Sequence, residues 1–159
     1  MKSAIALYVL AMTIANLLVS KLGPSFMPVI AFFLIGLDLA LRDFLHEKMR
    51  PLQMLLMISV GGVITYVLNP AAGIIAIASA SAFMAAALTD WAVFSKMTGS
   101  WFNRSNASNV AGAAVDSLVF PTIAFGALMP QIVLMQFIAK VAGGALWAWI
   151  INHRLRPAT

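Results

Sequence analysis

The chain has 159 residues, of which 62% are hydrophobic and only 9% charged, with no cysteine, a mean hydropathy of +0.96 and a formal charge of +5. Soluble domains are about 45–50% apolar and about 25% charged, so this composition cannot cover a water-exposed surface and a soluble single domain is excluded. A helical membrane protein is expected instead, with about 20 mainly apolar residues per span and length for about six spans. Lack of cysteine excludes a disulfide framework, thiol catalysis and thiolate metal sites; no motif calls for a metal or a cofactor.

Ala4 to Leu22 forms the first expected span and stops at Lys21-Leu22-Gly23-Pro24. Its apolar run is longer than a signal core, and no cleavage box follows. Residues 26–45 form the second span, followed by the charged segment His46 to Pro51; residues 52–68 form the third, closed by Asn69-Pro70. The fourth covers 71–94, residues 96–108 read as a polar loop, the fifth covers 109–128, and after Met129-Pro130 the sixth covers 131–151. The expected architecture is an all-α integral membrane protein: a six-helix bundle in one transmembrane domain over residues 1–159.

Six spans return the chain to the side on which it starts. Lys2, Arg42, Lys48, Arg50, Lys96, Arg104, Arg154 and Arg156 fall on or near that side, leaving Lys21 by the opposite face and Lys140 within a span. The positive-inside rule then makes both termini cytoplasmic. Topology accounts for the positive charge, so no nucleic-acid partner is invoked, and the sequons at Asn103 and Asn106 fall on the wrong side for glycosylation. Each half has an aspartate in its middle span (Asp38, Asp116) and a glycine pair in its third (Gly61-Gly62, Gly143-Gly144), a pattern compatible with two inverted three-helix halves. The glycines and the small-residue run Ala76 to Ala87 have a plainer reading as surfaces for close helix packing.

The informative residues are the few polar ones inside spans. Asp38 and Asp116 each lie seven residues from the cytoplasmic end of their span, roughly 10 Å deep, and Lys140 lies roughly 14 Å from the outer end of the sixth. A charge at a helix centre costs about 2.5–3.5 kcal/mol, so such groups face the bundle interior and pair with one another. Arg42 falls four residues after Asp38, where side chains meet on one face. Asn109, Gly112, Asp116 and Phe120 make a stripe on span five, and Gln136, Lys140, Gly143 and Trp147 one on span six. Turned inward, these stripes surround one cavity with balanced charge, to which Asn16, Ser81 and Phe83 add polar and stacking groups. Asp43, Glu47, Lys48 and Asp90 read as rim charges. Two readings stay open: the buried ions bind a ligand, or they only fix helix packing, since breaking a buried pair destabilises a protein in either case.

At these residues the sequence resembles the VUT family, the queuosine-precursor (7-deazaguanine) transporters. The resemblance is carried by Ala15-Asn16, by Pro28 through Asp38 to Arg42, by Ala80-Ser81-Ala82-Phe83-Met84-Ala85, by Asn109 through Asp116-Ser117 to Phe120 and on to Phe125, and by Lys140. Leu37 stands where the family commonly has a small hydroxyl residue, and the loops are short. The resemblance implies import of a small-molecule 7-deazaguanine such as preQ0 or preQ1 across the inner membrane, by a protein embedded in the lipid bilayer. A carboxylate accepts two parallel hydrogen bonds from a guanine-like edge: Asp116 or Asp38 serves that role, Asn16, Asn109 or Gln136 reads the remaining edges, and Phe120 or Phe83 stacks. Lys140 and Arg42 would hold the aspartates ionised while the site is empty.

No phosphate-binding loop is present, so ATP hydrolysis by this chain is excluded on motif grounds. An alternative is the substrate-binding subunit of an energy-coupling-factor vitamin transporter, for which Ala11 to Ala15 offers a small-x-x-x-small docking patch. A second is a structural membrane protein without transport. An enzyme is not expected, because His46 and His153 sit at the membrane edge without a serine partner at depth. Homo-oligomerisation is left open.

Overall fold

The computed structural model describes residues 2–70 and 73–155. Ala71, where the fourth span was expected to start, and Arg156 lie outside them. Among the described residues are six helices long and apolar enough to cross a membrane, and no strand. They are α1 (Lys2–Leu22), α2 (Pro24–His46), α3 (Pro51–Leu68), α4 (Gly73–Lys96), α5 (Trp101–Phe125) and α6 (Pro130–Arg154). Proline occupies the start of α2, α3 and α6, where its missing N–H leaves no intrahelical bond unmade. Gly126, with φ of 68°, ends α5 in the left-handed conformation that glycine adopts freely. Outward-facing Leu10, Val29, Val63, Val67, Ile77, Leu134 and Ile138 are exposed on different helices, as a lipid-facing surface requires.

Helices α1 and α3 run parallel with a constant offset. Met12 packs on Gly61, Asn16 Nδ2 donates to Thr65 Oγ1 at 3.3 Å, and Asn69 Nδ2 donates to Ser20 Oγ at 3.4 Å, the last two pairs each 49 residues apart. Helix α2 packs against α6 through a direct glycine-to-backbone approach. A Cβ on Gly36 would lie 2.5 Å from the Gly143 carbonyl carbon, and one on Gly143 would overlap the Phe32 carbonyl. That approach falls on a π-turn, Ala31–Ile35, closed by the Gly36 N–H bonding back to the Ala31 carbonyl. Such turns recur at functional sites. The indole N–H of Trp147 donates to the Phe33 carbonyl at 2.9 Å, tying the turn to α6. The two halves are packed differently: α5 rests on α6, and the equivalent contact between α2 and α3 is marginal at most.

Two expectations are corrected. Most of the segment 96–108, read as a polar loop, is helix, because Ser100 caps α5 by accepting the Asn103 N–H at 3.3 Å and the helix starts at Trp101. Its polar residues point inward rather than into water: Ser105, Ser108 and Asn109 are all buried. Asp43, read as a rim charge, is their reason. It is fully buried and accepts the hydroxyls of Ser105 at 2.5 Å and Ser108 at 3.1 Å. Asp90, also read as a rim charge, is fully buried beside Asp43 and Ser108. Glu47 and Lys48 are exposed as expected.

Candidate functional site

Midway through the bundle, α1, α2, α4, α5 and α6 leave a cavity between them. Asn16, Met27, Ile35, Ser79, Phe83, Asp116, Phe120, Gln136 and Lys140 are among its lining residues. About 20 Å³ of it is open to the centre of a water molecule, room for about one or two waters. The site is therefore closed in this state.

The polar wall is built from two helices. Lys140 on α6 reaches across to α5, where its Nζ lies 2.6 Å from Asp116 Oδ2 and donates to Ser117 Oγ at 3.2 Å. One turn earlier on α6, Gln136 Oε1 accepts from the same ammonium at 2.9 Å, while Gln136 Nε2 donates to the Met27 sulfur at 3.9 Å. All three ammonium hydrogens thus have acceptors, so the buried amine leaves no donor unpaired. Asp116 Oδ1 has no partner, although the side chain is buried. Pro121, four residues after Ser117, removes one backbone bond from α5 beside this pair.

A second ion pair lies next to the cavity but not on its wall. Arg42 Nη2 donates to Asp38 Oδ2 at 2.5 Å within α2, as the four-residue spacing predicted. The guanidinium carbon sits 5.8 Å from the Phe83 ring centroid, so Phe83 separates this pair from the cavity that it lines. Tyr8, fully buried on α1, faces both Asp38 and Arg42.

The expected site is thus divided. Asn16, Phe83, Asp116, Phe120, Gln136 and Lys140 come together on one cavity, whereas Asp38 and Arg42 form a separate layer beside it. Asn109 sits elsewhere on α5, packed on Gly144 with its Nδ2 3.5 Å from Ser105 Oγ. Ser81 does not line the cavity, and Ser79, about half a turn away, takes that place. Trp147 is half-buried and engaged with Phe33 rather than with the cavity. Sequence reading missed Tyr8, Thr65 and Ser79, and it named Ser117 beside Asp116 without giving it a role. Tyr8 was detectable as the start of the i, i+4 stripe Tyr8, Met12, Asn16, all buried on one face of α1. Ala11 and Ala15 lie in the chain's own core, so they present no docking patch to another subunit.

The fold and the site together define a multi-pass helical membrane protein with a closed, charged cavity between its helices. The family model described as "Putative vitamin uptake transporter" matches residues 3–152, and the chain belongs to that family, VUT. No curated protein and no solved structure matches it.

Proposed function

We propose that the protein imports a queuosine precursor, a 7-deazaguanine such as preQ0 or preQ1, across the inner membrane, with both termini in the cytoplasm. The observation that carries this reading is the half-used Asp116 carboxylate on the cavity wall. Its Oδ2 is committed to Lys140 and its Oδ1 is buried without a partner. A buried acceptor left unpaired costs about 1–3 kcal/mol, more when charged, and a guanine-like base brings adjacent N–H donors that fill it. Phe83 and Phe120 supply apolar faces for a flat heterocycle, while Asn16, Ser79 and Gln136 supply the polar groups that read its edges. Six spans and family membership support uptake; the basic residues gathered at the terminal end support the orientation.

The test is equilibrium binding to purified protein across 7-deazaguanines, guanine, and flavin- or biotin-like vitamins. A 7-deazaguanine is expected to bind best. Asp116→Asn should weaken it at least tenfold, the loss of about one charge-assisted hydrogen bond, and Asp38→Asn, away from the wall, should weaken it less. Unchanged affinity in folded Asp116→Asn would sink the assignment.

A further inference from the structure

Asp43 on α2 and Asp90 on α4 meet near the terminal end of the bundle, away from the central cavity. His46 ends α2 three residues after Asp43 and Lys96 ends α4 six after Asp90, so the pair lies roughly 5–9 Å inside the helix ends. Both residues are fully buried, with their side chains in hydrogen-bonding reach of each other. Donors are shared unequally between them. Asp43 accepts the hydroxyls of Ser105 and Ser108 from α5, at 2.5 and 3.1 Å, whereas Asp90 Oδ1 and Oδ2 have no donor. Asp90 thus turns empty acceptors toward another acceptor. Arg42 is the cation that faces Asp90, but its Nη2 is already held by Asp38, and Tyr8 and Asp116 act on it as well. Three buried carboxyls, Asp38, Asp43 and Asp90, therefore share one guanidinium. Two carboxylates in contact and out of water cannot both ionise. A proton between Asp43 and Asp90 supplies the missing donor and removes one of the charges. Among the described residues no group of three or more carboxylates, imidazoles or thiols converges as a metal site would require.

We propose that Asp43 and Asp90 form a proton-binding site, holding one proton between their carboxyls, and that this proton travels inward with the imported base. The proposal rests on the transport reading above and adds to it the ion that drives uptake. Each step is a proton transfer between water and a carboxylate, so no further reactant is needed. The link to the central cavity runs along two helices. On α5, a Cβ added to Gly112 would lie 3.5 Å from Asp90 Cβ, and Asp116 on the cavity wall follows four residues later, about 6 Å along the axis. On α2, Arg42 answers the charge on Asp90 when the proton leaves, because its Nε and Nη1 are buried without acceptors. Its guanidinium carbon lies 5.8 Å from the ring centroid of Phe83, itself part of the cavity wall. A charge on Asp90 is thereby felt where the base binds.

The test uses purified protein in liposomes, labelled 7-cyano-7-deazaguanine and a membrane potential held at zero. An interior about one pH unit more alkaline than the medium is expected to raise accumulation about tenfold for one proton per base, and a sodium gradient of equal size to leave it unchanged. Asp90→Asn, whose amide donates to Asp43 but releases no proton, should lose the response to pH while still exchanging labelled for unlabelled base. Exchange in the parent without accumulation under the pH gradient overturns the proton site and leaves the transport reading intact. Accumulation driven by sodium instead refutes the proton as the ion. Absence of exchange in the parent removes the transport reading and this proposal with it. Accumulation that persists in Asp90→Asn, or exchange lost in that variant when folded, overturns the role given to the pair. Should the variant fail to fold, the infrared spectrum of the parent decides. At neutral pH it should contain the C=O band of a protonated carboxyl, shifted in deuterium oxide; ionised carboxylates alone would refute the shared proton.

Discussion

At the scale of single residues, the Asp116–Lys140 pair carries two separable burdens. It holds α5 to α6, and it presents an open carboxylate oxygen to the cavity. Lys140→Met leaves a buried carboxylate uncompensated and should cost about 3–5 kcal/mol, read as a lower melting temperature in detergent. Adding Asp116→Leu should restore most of that stability, because an apolar pair of similar volume replaces a buried ion pair at little cost. Binding should remain absent in the double variant; a double variant that still binds would assign the pair to packing alone. That both charges face the bundle interior was legible in the sequence, because a charge deep in an apolar run has few explanations; which aspartate Lys140 meets was not. Asp43 was not, because near a helix end the same charge fits water or a buried network, and only the inward turn of Ser105 and Ser108 decides between them. Ser79 was missed for a geometric reason: two serines, at 79 and 81, differ by about 200° around the helix, and composition does not set that phase.

At the scale of elements, the contact of α2 with α6 depends on two glycines and a π-turn. Gly143→Ala pushes a methyl into the Phe32 carbonyl and should destabilise the protein by about 1–3 kcal/mol, measured by thermal melting. The π-turn adds one residue to α2 relative to a plain helix. It therefore sets the rotation between the cavity wall at Met27 to Ala31 and the pair at Asp38 and Arg42. Inserting one alanine after Leu37, in the plain α-helical stretch beyond the turn, would rotate the Asp38–Arg42 layer against the cavity wall by roughly 100°. The expected outcome is loss of ligand binding together with a lower melting temperature; retained binding would show that the phase between these two parts of α2 does not set the site. Neither the turn nor its phase was readable from hydropathy, which identifies a span by its length and leaves its internal winding open. The number of spans and most of their limits were readable, because six apolar runs are separated by proline, glycine or charge.

At the scale of the whole molecule, the described chain runs through six helices and so reverses direction five times, which returns its last helix to the end where the first begins, the end rich in lysine and arginine. A fluorescent protein that folds only in the cytoplasm, fused to the C-terminus and expressed in a bacterial inner membrane, is expected to be bright, and an alkaline phosphatase fusion there inactive. The reverse pair of results would invert the orientation. The small volume of the central cavity bears on how any affinity for this protein is read. With space for only a water or two, the cavity as it stands excludes any larger ligand, which would enter only conformers in which the helices stand further apart. The measured dissociation constant is then the intrinsic one divided by the fraction of molecules open at that moment. Lipid or detergent that squeezes the helices together would weaken apparent affinity without touching a residue of the site, so the surrounding bilayer acts as a competitor of the substrate.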